Sequence, residues 1–286
     1  MAELFIPTFT TGHKLKKPFI RWAGGKQRQV KRLLNSLPAQ GFSKYFEPFA
    51  GAASLFWSLS PSKATLSDLN PSLILTYEQI KTSPEKVFDR LRDLGEKHSE
   101  ATYYSTRDHF NNAASDLDKV VAFIYLNRAG YNGVYRVNKY GAYNVPFGRH
   151  SNNFILPSLD HLVRFSKMLK SATLLCADFA DIEERVGRRD LVYIDPPYTS
   201  LSTHGYDKYT TSRFASPDQD RLEQFAKRIS KKGASVLISH LGFTDVEDRY
   251  KGWHISRENV TRSVLPTTES PPDEEILISN YEQGVT

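Results

Sequence analysis

Short apolar runs alternate with amphipathic stretches along most of this 286-residue chain, the pattern of a mixed α/β protein. Lys44-Tyr45-Phe46-Glu47-Pro48-Phe49 reads as a strand and its exit, and a helix can start at Ser54 and run through Leu59. Ala64-Thr65-Leu66-Ser67 reads as the next strand. Asn70 as N-cap and Pro71 as first helical residue then open a helix. Ser83-Pro84 opens another, with Val87, Phe88, Leu91 and Leu94 at helical spacing and an end near Gly95. A broadly apolar surface from Val120 to Leu126 predicts a helix over residues 117–127. From residue 160 the pattern resumes with a helix, strands over 172–176 and 190–194, and a helix opened by Ser216-Pro217. A strand over 234–239 and a final one over 275–280 complete the series. Residues 1–18 read as a flexible basic lead-in, and no repeat or low-complexity tract interrupts the chain.

One segment has a different character. Residues 128–153 hold five Asn, five Tyr or Phe, four Gly and three Arg with little aliphatic content, so they predict an ordered loop or hairpin rather than core. The architecture expected is α/β: one Rossmann-like domain interrupted by a mainly helical, loop-bearing lobe. The length suffices for a full core and one modest extra lobe.

Charge sharpens this picture. The formal net charge is +6, but it is unevenly spread. Residues 1–36 carry eight Lys or Arg against one acid and residues 128–170 seven against one, whereas the last 21 residues carry five acids and no Lys or Arg. Two basic regions fit a surface that tracks phosphates, though a solvated lysine-rich face would look the same. The single Cys176 excludes an internal disulfide and fits a reducing compartment. There is no Cys/His set at metal-ligand spacing, no membrane-length apolar stretch and no signal-peptide core, so a soluble, cytoplasmic, metal-free protein is expected.

The most informative chemistry lies at Asp195-Pro196-Pro197-Tyr198, at the exit of the apolar strand over 190–194. Neither proline has an N–H, and the first biases Asp195 away from helix, so the corner is stiff and presents a carboxylate, a bare carbonyl and a ring. That set suits a planar group with an exocyclic amine: the acceptors take its two N–H bonds and the ring stacks on its face. A Pro-Pro strand end with a packed tyrosine is the plainer alternative. A second set sits after the first strand, where Ala50-Gly51-Ala52-Ala53-Ser54 lets backbone approach a ligand closely. Asp68 follows Gly51 by 17 residues, the placement of an acid that grips ribose hydroxyls in Rossmann-like folds. One glycine is not a GxGxxG motif, so a nicotinamide cofactor is poorly supported.

Together with Arg21-Trp22-Ala23-Gly24-Gly25-Lys26, these stretches resemble the Dam-type adenine-specific DNA methyltransferases. The matching parts are residues 21–27, 45–54, 67–70, 125–148 and 193–198, nearly the whole chain in the family's order. Residues 125–136 are the most specific to this branch. The resemblance implies transfer of a methyl group from S-adenosylmethionine to adenine N6 in double-stranded DNA, leaving S-adenosylhomocysteine, with GATC as the site. It implies that residues 1–82 form the cofactor part, 83–160 the target-recognition lobe and 161–286 the catalytic part. Asp195, Pro196 and Tyr198 would be catalytic. Trp22, Lys26, Phe49, Gly51, Asp68, Asp178, Phe179 and Asp195 would surround the cofactor. Tyr131, Asn132, Val134, Arg136 and Pro146 would contact DNA, with Arg136 on a guanine edge. Ala177 stands where the family has a glycine before the pair matching Asp178-Phe179, and residues 262–273 lack the expected basic stretch.

Plainer roles exist for several of these: core for Trp22, a solvated charge for Lys26, a helix cap for Asp68, a strand-end cap for Asp178, a turn with packed rings for the 130s. A cognate restriction endonuclease is the functional counterpart the resemblance suggests, with no stable protein partner implied. Rival readings are the same chemistry on cytosine N4, RNA adenine or a protein amide, and a non-catalytic DNA-binding protein on this fold.

Overall fold

The computed structural model describes residues 4–6, 17–112, 115–148, 154–197, 214, 216–241, 246–260 and 273–283. Among them, β1 (Tyr45–Glu47), β2 (Ala64–Asp68), β3 (Ala172–Cys176), β4 (Leu191–Ile194), β5 (Ser235–Leu241), β6 (His254–Val260) and β7 (Asp273–Ser279) form one sheet in the order β3-β2-β1-β4-β5-β7-β6. The first five pair in parallel, and β7 lies antiparallel between β5 and β6. This is a Rossmann-like α/β fold. Strand order reverses between β1 and β4, and the crevice outside their carboxyl ends is where such sheets bind ligands.

Period-two burial explains how the strands sit. Leu191 and Tyr193 of β4 face one core while Val192 and Ile194 face the other, and Tyr45 and Phe46 of β1 divide the same way. The second core is closed by α8 (Ser216–Lys231) through Leu222, Phe225, Ala226 and Ile229. The first holds α1 (Val30–Asn35), α2 (Ser54–Leu59) and α3 (Pro71–Thr82). Trp57 of α2 anchors it, its ring 4.1 Å from Phe165 and its Nε1 donating to the Ala52 carbonyl at 2.7 Å. As expected, Asn70 caps α3, its side chain accepting from the Leu73 N–H at 3.1 Å with Pro71 first in the helix.

Between β2 and β3 the chain adds α4 (Pro84–Glu96), α5 (Glu100–Asn112), α6 (Asp116–Ala129) and α7 (Leu159–Leu169). Their apolar faces, among them Val87, Leu91, Tyr103, Phe110 and Ile124, join the first core without a break. After α6 the segment over 130–148 folds back on itself through bridges Gly130–Phe147 and Val137–Tyr143, the hairpin the composition suggested. Asn138 closes its tip, donating to Ala142 O at 2.8 Å through its N–H while its side chain accepts from the Tyr140 and Ala142 N–H groups.

Several parts depart from expectation, beginning with α1, a six-residue helix over a stretch for which none is expected. Helix α5 buries only Tyr103, Thr106 and Phe110, too sparse a stripe to announce itself. Strand β6 carries His254, Arg257 and Glu258 along a sheet edge, which hides its period. Residues 4–6, expected to be part of a loose lead-in, are tied down. Phe5 and Phe42 exchange backbone hydrogen bonds of 2.7 and 3.0 Å and their rings lie 5.2 Å apart, because the apolar partner of Phe5 lies far along the sequence, where a local reading does not find it. Residues 7–16 lie outside the described residues. No helix among the described residues is long and apolar enough to cross a membrane.

The end of β7 is locked by Asn280. Its side chain accepts from Val236 N–H at 2.8 Å and donates to Ser230 Oγ at 2.7 Å and Ala234 O at 2.8 Å. Asn280→Ala leaves these groups unpaired and is expected to lower unfolding free energy by about 1–3 kcal/mol, read from urea denaturation of the two proteins side by side.

Candidate active site

Two corners meet at the crevice. After β1 the chain turns at Gly51, whose φ of +45° lies in the left-handed region. Its N–H donates to Asp68 Oδ2 at 3.0 Å and its carbonyl accepts from the Tyr77 hydroxyl. A Cβ there would come within 2.8 Å of Trp22 Cδ1, so glycine is demanded by conformation and by space. Asp68, at the end of β2, also accepts from the Asn70 N–H at 2.9 Å. Burial pushes its carboxyl up from the ordinary range while the Gly51 and Asn70 N–H groups pull it back. The nearby Ser67 hydroxyl is buried with no hydrogen-bond partner. Trp22 closes over Gly51 and stacks on Tyr135 at 5.9 Å and 20°. On the other side Phe49 stacks on Phe179 at 5.4 Å and 28°. Asp178 caps the 3-10 turn over Phe179–Arg185, accepting from Ala180 N–H at 3.0 Å and from Arg221 at 2.7 Å, so it caps the helical turn that follows β3 rather than the strand end itself.

The second corner is Asp195-Pro196-Pro197, directly after β4. Asp195 Oδ1 lies 2.9 Å from the Lys26 ammonium, which is 3.1 Å from Glu275 Oε1 and donates to Gly24 O at 3.2 Å. Lys26 and Glu275 are each 5% exposed at the side chain and Asp195 is 18% exposed, so of the three only the Asp195 carboxylate is open toward the crevice. Burial pulls the Lys26 ammonium down, but Asp195 and Glu275 outweigh it and hold the amine above its ordinary value, charged at any physiological pH. Lys26, expected at the cofactor, thus has its charge on two carboxylates. Tyr198 lies outside the described residues.

Glu275 was not among the expected site residues. Its signal is an acid set against the apolar run Ile276-Leu277-Ile278, the same juxtaposition that singled out Asp195. Because β7 runs antiparallel, its amino end reaches the carboxyl ends of the parallel strands, with Glu275 in register with Leu241 of β5. Glu47 is a second unforeseen acid. It is buried at the exit of β1 and accepts from the Tyr45 hydroxyl at 2.9 Å. Burial drives its carboxyl well above the usual range, against the pull of the Tyr45 bond, and the Asp195 charge drives it further.

The expected DNA residues gather on the 130s segment. Tyr131 and Asn132 are exposed, Asn132 at φ +53°, and Tyr131 N–H donates to the carbonyl of exposed Pro146 at 3.0 Å. Val134 is half-buried. Arg136 is half-buried too, its Nε on Asn144 Oδ1 at 2.8 Å and one Nη on Asn144 O at 3.2 Å. Asn127 ties this segment to the crevice. Its buried amide accepts from Arg21 N–H at 2.7 Å and donates to Arg21 O at 2.6 Å and Gly133 O at 3.3 Å. A lone Asn in the apolar run of α6 was the available signal. Among the described residues no group of three His, Cys, Asp or Glu side chains could hold a metal ion.

A family model described as D12 class N6 adenine-specific DNA methyltransferase matches residues 22–264. The chain belongs to this family. The methyltransferase is 36% identical to the type II methyltransferase M.MjaIII of Methanocaldococcus jannaschii, with 93% of this chain and 99% of that protein aligned. It is 32% identical to the type II methyltransferase M1.LlaDCHI of Lactococcus lactis, over 93% and 95% of the two chains. It is 31% identical to the DNA adenine methylase of Escherichia coli K12, over 95% and 98%. The protein is therefore an adenine-specific DNA methyltransferase: its substrate is DNA, and its methyl group comes from a donor.

Glu47 yields a pH test. An acid whose carboxyl is raised on folding stabilises fully below its unfolded value of 4.5, and that contribution is lost as pH rises toward the folded value. Glu47→Gln, which cannot ionise, should therefore gain stability relative to wild type between pH 4.5 and neutrality. Urea midpoints measured across that range check it, and a constant difference would contradict a neutral buried Glu47.

Proposed function

We propose that the methyltransferase uses S-adenosylmethionine to methylate N6 of an adenine swung out of duplex DNA, within GATC. The observation that carries this reading is the Asp195 corner, whose partly open carboxylate faces the switch-point crevice beside Gly51 and Asp68. The residues present fit the donor: Asp68 is oriented by two backbone N–H groups to take ribose hydroxyls, and Gly51 lets the Trp22 ring close directly over the turn. Phe49, Asp178 and Phe179 would form the adenosine side. When bound, S-adenosylmethionine supplies a methyl group made electrophilic by a positively charged sulfur.

A paired, stacked adenine cannot reach such a crevice, so it must leave the helix, at a cost of a few kcal/mol. Asp195 and the Pro196 carbonyl then accept the two N6 hydrogens, which turns the nitrogen lone pair toward the methyl. Tyr198 stacks on the base, a contact of about 1–3 kcal/mol. Positioning and electrostatics supply the catalysis, with no nucleophilic side chain needed. We read residues 83–160 as the target-recognition region, with Arg136 on a guanine, and Tyr131, Asn132, Val134 and Pro146 holding the duplex around the vacated position. The higher identity to type II methyltransferases favours a restriction endonuclease of the same specificity as functional counterpart.

The test is methyl transfer from labelled S-adenosylmethionine to unmethylated duplex DNA, with nucleoside analysis and mapping of modified positions. The expected result is N6-methyladenine confined to GATC, lost with Asp195→Ala and lowered far more by Tyr198→Ala than by Tyr198→Phe. N6-methyladenine at other sites would overturn the assignment of GATC. Full activity of Asp195→Ala would overturn the mechanism.

A further inference from the structure

We propose that Glu275 is a positioning residue for methyl transfer: together with Asp195 it fixes the Lys26 ammonium, and through that ammonium it sets the position and charge of the Asp195 carboxylate. The inference rests on the reading of Asp195 as acceptor of the adenine amine.

The geometry is that of one buried cation held by two anions. Lys26 Nζ is 2.9 Å from Asp195 Oδ1 and 3.1 Å from Glu275 Oε1, with the Gly24 carbonyl as a third acceptor at 3.2 Å. Glu275 is itself held, since the Gln29 amide donates to its Oε2 and Arg32 reaches its backbone carbonyl at 3.5 Å. Arg32 in turn bonds Ser256 O at 2.9 Å and pairs with Glu258 at 3.0 Å on the neighbouring strand. Lys26 is thereby fixed on the side away from Asp195 by Glu275, itself held by Gln29 and Arg32. A long, four-carbon side chain has high rotamer freedom, and without a second anchor it would carry Asp195 through a range of positions.

The second anion also prevents an overtight pair. With Asp195 alone, a buried ammonium would concentrate its charge on the one carboxylate that must accept from substrate. Shared between two, it leaves Asp195 with more acceptor strength. The titratable groups around this cluster are Asp195 itself after β4, Glu275 on β7 and the buried acid Glu47 on β1, with the phenols Tyr45 and Tyr193 beside them. Of these, Asp195 and Glu275 hold the Lys26 amine up against desolvation.

The experiment is steady-state methylation of a duplex oligonucleotide containing GATC, with kcat, both KM values and the pH profile of kcat, for wild type, Glu275→Gln, Glu275→Asp and Asp195→Ala. Glu275→Gln should lower kcat about tenfold or more with both KM values within about threefold, the signature of an interaction that matters in the transition state. Its basic limb should move to lower pH, because desolvation of Lys26 is then opposed by one carboxylate. Glu275→Asp, which keeps the charge, should recover part of kcat and return the basic limb toward wild type. Should Glu275→Gln fail to fold, Glu275→Asp alone decides: a wild-type basic limb with reduced kcat supports the inference, and a limb displaced to lower pH overturns it. Unchanged kcat and limb in Glu275→Gln, with Asp195→Ala inactive, would overturn the role of Glu275 and leave Asp195 standing. Full activity of Asp195→Ala would sink the reading beneath both.

Discussion

One ammonium group, on Lys26, joins three parts of the chain that are remote in sequence. It comes from the glycine-rich segment before α1, and its partners stand at the exit of β4 and near the start of β7. Removing three charges from water is costly, and the pairing offsets that only when the remaining lone pairs and protons are satisfied as well. Gly24 accepts a third bond from the ammonium and Gln29 donates to the second oxygen of Glu275, each contributing toward that condition. The cluster thus requires the amino-terminal segment, the crevice strand and the antiparallel strand to be in place at once. A partly formed version would leave an unpaired buried charge, so the site exists only in the completed fold.

The sheet supplies the other half of the arrangement. Parallel strands put their carboxyl ends on one rim, and the reversal between β1 and β4 opens a crevice between the Gly51 turn and the Asp195 corner. A strand inserted antiparallel brings its amino end to that same rim, which is how Glu275 arrives. Backbone direction, rather than any local motif, places the acid.

Much of this was legible in the residues, because it is encoded locally. The Asn70-Pro71 start of α3, the Pro84 start of α4 and the strand before Asp195 each announce themselves through caps, prolines or short β-branched runs. The elements that escaped lack a local signature: α5 is stabilised by three buried residues packed on α6, and β6 is a charged edge. Site partnerships escaped for a related reason. The acid at 275 and the lysine at 26 are each readable, but their meeting across some 250 residues depends on strand direction. Asn127 likewise stood out in an apolar helix without revealing that it would grip the backbone at Arg21 and Gly133.

The first core runs unbroken from beneath the sheet into α4, α5 and α6. Those helices are consequently not a detachable module that evolution or an engineer could exchange whole, since their removal would uncover the apolar faces of α3 and α7 on which they pack. Among the described residues, the outer turn of the hairpin, from Asn138 to Gly141, is free of that obligation. Tyr140 there is 81% exposed, and a side chain added at Gly141 would meet nothing within 4 Å, its positive φ being the one cost. That tip has room for substitution, on a scaffold whose interior tolerates little exchange.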